Sequence, residues 1–125
     1  MDSRVLEAQS LYWQVHGGAN LSSELREATL IRMAQLHEEI AQERLDQDDS
    51  LGWSDFYAAV TAWGEADRLQ EARSLVHLGI QRAGAFPAIR SEIIHELDEQ
   101  RRWLDRREAD LSNQSGLTLP ATGAR

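Results

Sequence analysis

Cysteine is absent from this chain of 125 residues, which removes thiolate metal sites, disulfides and a thiol nucleophile. Imidazoles and carboxylates are left as the groups that could do chemistry. Glu92, Ile93, Ile94 and His95 form an E-x-x-H pattern, a spacing carboxylate bundles use because residues three apart share a helix face and can share a metal. A di-iron centre also needs a second such motif and two more inward glutamates. His95 lies opposite the apolar stripe of Ile93 and Leu97, which predicts a solvated face. His37 falls mid-stripe among Met33, Ile40 and Ala41, where the usual role is a core imidazole satisfied by one backbone or carboxylate partner. The alternative is a ligand or general base: His16, ending its own helix on an apolar side, could join His37 and an acidic residue around a metal.

Arg32 with His37 and Arg90 with His95 both have an Arg-x4-His spacing. It resembles the catalytic pattern of small all-helical HEPN ribonucleases. With thirteen basic residues, all Arg, and four His in the chain, about one such match arises by chance. Near the C-terminus Leu119, Pro120, Ala121, Thr122 and Gly123 resemble a sortase sorting signal, but only Ala124 and Arg125 follow, so the apolar segment and basic tail such a signal requires are missing. The chain has no Gly-rich phosphate loop behind a strand and no G-x-S-x-G elbow.

Charge narrows the partners. Thirteen basic against 21 acidic residues give a formal charge of −8, a field that repels a phosphate backbone and favours a protein with a basic face. Nucleic acid is therefore not the expected partner. At 42% hydrophobic the chain can fill one core but not two. It contains no 18-residue apolar run, and its first residues lack the pattern of a signal peptide. The expectation is a cytoplasmic protein with no membrane segment and no cofactor.

The elements that would position these groups are helical. Val5, Ala8, Tyr12 and Val15 set the stripe of a first helix over about 3–16, ended by Gly17 and Gly18. Ser22 or Ser23 can cap a second to about Asp46, with Leu30, Met33, Ala34, His37, Ile40, Ala41 and Leu45 inward and Glu38, Glu39 and Gln42 outward. Ser54 is the expected cap of a third helix to about Ala66. A tight turn at Asp67 and Arg68 leads to a fourth over about 69–83, with Gly84 as its left-handed stop. Pro87 opens a fifth, reaching about Leu111 and carrying Ile89, Ile93, Leu97, Leu104 and Leu111 with Gln100 among them. No strand-like alternation appears. From Ser112 the composition turns to Ser, Asn, Gly, Thr and Pro, which predicts a single domain over 1–112 and a disordered tail over 113–125.

The third and fourth helices read as an antiparallel hairpin joined by a seam of small residues. Phe56, Ala59, Val60 and Trp63 face Ala72, Val76, Gly79 and Ala83, and small residues on one helix let aromatic groups of the other approach its backbone. This pattern resembles a tetratricopeptide repeat. Phe56 stands at the family's leading Trp, Ala59 and Val60 at its Leu-Gly pair, Trp63 at its Tyr, and Ala72 and Gly79 at its small positions. Val60 replaces the Gly, Gly84 stands where a closing Pro is usual, and one period back Ser22 and Glu38 do not match. The resemblance covers about 52–97 and implies helical-hairpin architecture and a peptide- or protein-binding surface.

These features together predict an all-α protein of about five helices in tetratricopeptide-like antiparallel hairpins, with a long C-terminal helix. The expected role is a non-catalytic protein–protein interaction module binding a protein partner or itself. Two contact surfaces are expected: Trp53, Tyr57 and Trp63, where an aromatic group left outside the core would make an anchor, and Leu97, Trp103, Leu104 and Leu111, as a short coiled-coil seam of a homodimer. The alternative is a small helical-bundle enzyme or metal-binding protein using His16 and His37, or Glu92 and His95.

Overall fold

The computed structural model describes residues 2–18 and 20–118, with side chains through Gln114. Five α-helices account for the described chain: α1 Ser3–His16, α2 Ser23–Asp46, α3 Gly52–Glu65, α4 Leu69–Arg82 and α5 Arg90–Thr118. Successive helices pack antiparallel, and α5 returns to touch α3 as well as α4. The all-α architecture expected from the periodicity is the architecture found.

Local chemistry sets the helix ends. The Asp2 carboxylate accepts from the Arg4 N–H at 2.9 Å at the start of α1, and the Ser22 hydroxyl accepts from the Leu25 N–H at 3.1 Å at the start of α2, each satisfying a donor the helix itself cannot. Gly18, at φ 87°, follows the end of α1. α2 and α3 both close in the same way. Asp48 and Asp67 take left-handed conformations, at φ 58° and 60°. The next residue then donates back into the last turn, Asp49 to the Arg44 carbonyl and Arg68 to the Trp63 carbonyl, both at 2.9 Å. This is a Schellman closure with aspartate in the place usually held by glycine.

Three boundaries differ from those expected. α3 begins at Gly52 rather than after Ser54, because Leu51, Gly52, Trp53 and Ser54 wind directly out of the preceding turn, whose Asp49 carboxylate accepts from the Leu51 N–H at 3.0 Å. Gly52 permits this: a Cβ there would meet Arg44 Cβ at 2.9 Å and Leu45 Cγ at 3.0 Å. Gly84 is not left-handed. It lies in a 3-10 turn, Ala83–Ala85, and Pro87 opens a second such turn, Pro87–Ile89, that feeds α5. Helical backbone continues past residue 112 to Thr118; the rest of the expected disordered tail, 119–125, and the sortase-like motif lie outside the described residues.

The core is centred on α3. Phe56, Ala59 and Val60 are enclosed by Leu30, Met33 and Ala41 of α2, Ala72, Leu75 and Val76 of α4, and Ile93, Leu97 and Leu104 of α5. Gly79 makes the α3–α4 seam possible, since a Cβ there would fall 2.6 Å from Phe56 Cε1. α2 is buried on two sides: besides the residues facing α3 it buries Leu36 and Ile40, which fall outside the main cluster, on the side taken by α1 and its buried Ala8. The Gln100 amide is buried among the apolar residues of α5 and donates to the Tyr57 carbonyl at 2.9 Å and to Thr61 Oγ1 at 3.3 Å, tying α5 to α3.

The leucine stripe of α5 is satisfied inside the chain. Leu97 and Leu104 are 0% exposed, and Gly64 lets Trp103 and Leu104 settle against α3, where a Cβ would lie 2.4 Å from the Trp103 ring. Arg73 pairs with Asp105 at 2.8 Å, and Arg107 with Asp67 at 2.6 Å, so the Arg-rich half is docked too. The expected dimer seam is corrected on this point: of its four residues only Trp103 and Leu111 show at the surface, both half-buried.

Candidate functional site

The histidines do not converge. His37 Nδ1 lies 3.1 Å from Asp55 Oδ1, and the other Asp55 oxygen accepts from Arg44 Nη1 at 3.0 Å. Asp55 sits in the first turn of α3, so this triad fastens α2 to α3. His16 Nε2 lies 3.9 Å from Glu65 Oε1 at the opposite end of α3, and its ring sits tilted against Tyr12 at 4.5 Å between centroids. At 1.5 Å per residue the two carboxylates are about 15 Å apart along that helix. Glu92 and His95 are exposed on α5. Among the described residues no group of three or more His, Asp or Glu side chains is arranged to hold a metal ion. Of the Arg-x4-His pairs, Arg32 is bonded to Glu7 at 2.8 Å instead of to His37, while Arg90 and His95 line an open hollow with Ile80, Ser91, Ile94 and Asp98.

The aromatic group separates into core and surface. Trp53 is buried against Phe56, Tyr57 and Phe86, with ring centroids 5.1, 6.1 and 5.6 Å away, so it is no surface anchor. Tyr57 is half-buried, and burial, helped by the nearby Glu96 charge, pushes its phenol up to about 12. Trp63 differs. It is 9% exposed, and its indole N–H donates to Glu38 Oε1 across the α2–α3 contact at 3.1 Å.

That hydrogen bond lies in the floor of a groove. α2 and α4 flank α3 and are tied at one end by the Arg82–Asp46 ion pair at 2.7 Å; a space of about 570 Å³ against α3 is lined by Glu38, Trp63, Gln70, Glu71, Ser74, Leu75 and Leu78. A further hollow of about 270 Å³ continues it along α2, past Gln35, Glu39 and Gln42. Trp63, Leu75 and Leu78 make the apolar part, carboxylates and amides make the rim, and none of the lining residues is basic. Such a volume is typical of pockets that bind ligands.

Sequence patterns named Trp63 and missed the rest of this site for a definite reason. Gln35, Glu38, Glu39 and Gln42 on α2, and Gln70 and Ser74 on α4, have the spacing of ordinary solvated faces. Only the tertiary fold turns those faces toward each other. The exposed apolar residues Leu6, Tyr12 and Trp13 on α1 were also missed, Trp13 at 67% exposure being the most open of them. Tyr12 was expected on the inward stripe with Val5, Ala8 and Val15 and is instead 48% exposed; Trp13 stands off that stripe, which was the available signal.

The fold and the groove define a class, an all-helical protein with a polar-rimmed surface cleft and, among its described residues, no group of three or more His, Asp or Glu side chains placed to hold a metal ion. Compared with protein-family models, curated proteins and solved structures, the chain matches none of them. No helix among the described residues is long and apolar enough to cross a membrane.

Proposed function

We propose that this protein is a non-catalytic, cytoplasmic interaction module that holds a segment of another protein in the groove between α2 and α4. The observation that carries the reading is the groove itself: a cleft of about 570 Å³ with an apolar floor at Trp63, Leu75 and Leu78 and a rim of carboxylates and amides. Protein-binding surfaces combine an apolar centre with a polar rim in this manner. The formal charge of −8 favours a partner with a basic face and speeds its encounter. Self-association through α5 is not part of the proposal, because Leu97 and Leu104 are internal.

Ser74 is exposed on the α4 wall of the groove, so Ser74→Trp fills the cleft without touching the core. Affinity purification from the source organism is expected to recover a partner with the wild-type chain and with Trp13→Ala, on the far exposed face of α1, and to lose it with Ser74→Trp. Recovery that is indifferent to Ser74→Trp would remove the reading.

A further inference from the structure

We propose that the groove recognises its partner through an arginine side chain, whose guanidinium is received between Glu38 and Glu71 against Trp63; this rests on the interaction reading above. Glu38 is the reason. The residue is half-buried, the one hydrogen bond to its carboxylate comes from the neutral Trp63 indole N–H, and no Arg or His of the described residues lies within ion-pair distance of it. Two other half-buried carboxylates have cations, Asp55 with His37 and Arg44 and Asp98 with Arg101 and Arg102; Asp49 has none, but it lies in the turn before α3, outside the groove, and accepts from the Leu51 N–H. Glu38 lines both the groove and the hollow that continues it, where a charge-assisted hydrogen bond from an incoming cation is stronger than a neutral one. Glu71 faces the same space from α4 and has only a long contact to Arg68, at 3.7 Å.

The groove's other walls select arginine over lysine. A guanidinium is planar and weakly hydrated, lies flat on an indole and can bridge two acceptors with its fork of N–H donors, whereas an ammonium is a compact, strongly hydrated point charge. Leu75 and Leu78 offer an apolar bed for the methylene stem. Gln70 and Ser74 supply side-chain oxygens within the same lining, so a fork that reaches both carboxylates still has acceptors for its remaining hydrogens. The cleft exceeds one side chain in volume, which leaves room for apolar residues on either side of the arginine.

The test uses the full chain and a peptide with arginine flanked by leucine, acetyl-Ala-Leu-Arg-Leu-Ala-amide, beside versions carrying lysine or citrulline, the neutral isostere of arginine. The indole N–H resonances of the four tryptophans are followed by nitrogen–proton correlation spectra, with Trp63 assigned by its loss in Trp63→Phe. The arginine peptide is expected to move the Trp63 indole signal saturably, the citrulline peptide to bind at least about tenfold more weakly, and lysine to fall between. Glu38→Gln keeps an acceptor for the indole and removes only the charge. It should retain the native circular dichroism spectrum and weaken the arginine peptide about tenfold without changing the citrulline peptide. Equal behaviour of arginine and citrulline, or a Trp63 signal that no peptide moves, overturns the inference. Should either occur while Ser74→Trp still abolishes partner recovery, the interaction reading stands and only the arginine is wrong; if Ser74→Trp also has no effect, both fall.

Discussion

Replacing Gly79 by alanine sets helix propensity against packing, and the structure decides which wins. Gly79 lies within α4, where alanine is favoured over glycine by about 1 kcal/mol. The new methyl, however, would sit 2.6 Å from Phe56 Cε1 and 2.9 Å from both Phe56 Cζ and Leu97 Cδ1. Phe56 and Leu97 are fully buried on opposite sides of this contact, so neither can swing into solvent to make room. Overpacking of such a site costs ~1–3 kcal/mol, and contacts this short against two confined side chains belong at the upper end. The net loss is then about 1–2 kcal/mol, or a fall in melting temperature of roughly 3–10 °C for a domain of this size. Gly84→Ala is the matched control, because no atom lies within 4 Å of its added Cβ and its φ is not positive; it should gain up to ~1 kcal/mol through the unfolded chain. Urea unfolding followed by circular dichroism should show Gly79→Ala with a lowered midpoint at unchanged slope and Gly84→Ala with a raised one. A raised midpoint for Gly79→Ala would refute the reasoning, since it would mean that the α3–α4 seam has slack the geometry denies.

Three other outcomes test different parts of the fold. Leu104→Glu places a carboxylate in a fully enclosed position and should cost at least ~4 kcal/mol, abolishing the native circular dichroism spectrum; a folded variant of lower mass by light scattering would instead restore the dimer seam. Tyr57, left as the only tyrosine in Tyr12→Phe, should ionise at about pH 12 in an absorbance titration. Because burial raises its folded value above the ordinary 10.0, the phenol's contribution to stability is complete below pH 10 and is lost as pH rises towards 12; ionisation of Tyr57 near pH 10 in the folded protein would contradict its placement. Asp55→Ala leaves His37 and Arg44 without their shared acceptor and should cost about 1–3 kcal/mol. A double-mutant cycle with His37→Ala should then give a coupling of roughly 0.5 kcal/mol or more, and full additivity would deny the contact.

Helix order and the hairpin seam were legible because each depends on short-range periodicity. Phe56 and Val60 repeat at helical spacing, small residues answer them on α4, and the observed packing is the one that pattern demands. Helix closure was less legible. Gly84 looked like the left-handed stop and is not, whereas Asp48 and Asp67 are; what places an aspartate there is the carbonyl left open in the preceding turn, a need that composition does not display. The α5 stripe marked Leu97 and Leu104 as apolar partners of something without saying of what. Gly64 answered that question from 40 residues upstream of Leu104, by letting Leu104 and Trp103 close on α3.

The groove lies at the far end of this scale, and its illegibility has a physical cause. Glu38 and Trp63 are 25 residues apart, so their hydrogen bond forms only once α2 has docked along α3, and the second wall appears only when α4 folds back on the other side. Each contributing face is polar at helical spacing because it remains open to water in the free protein. Under the proposed reading, a face that a partner covers has the same sequence pattern as one that stays solvated. What marks Glu38 out is its partner: the Trp63 indole offers its carboxylate a hydrogen bond but no charge. Its substitution by glutamine should accordingly matter little to the isolated fold and much to what the groove will hold.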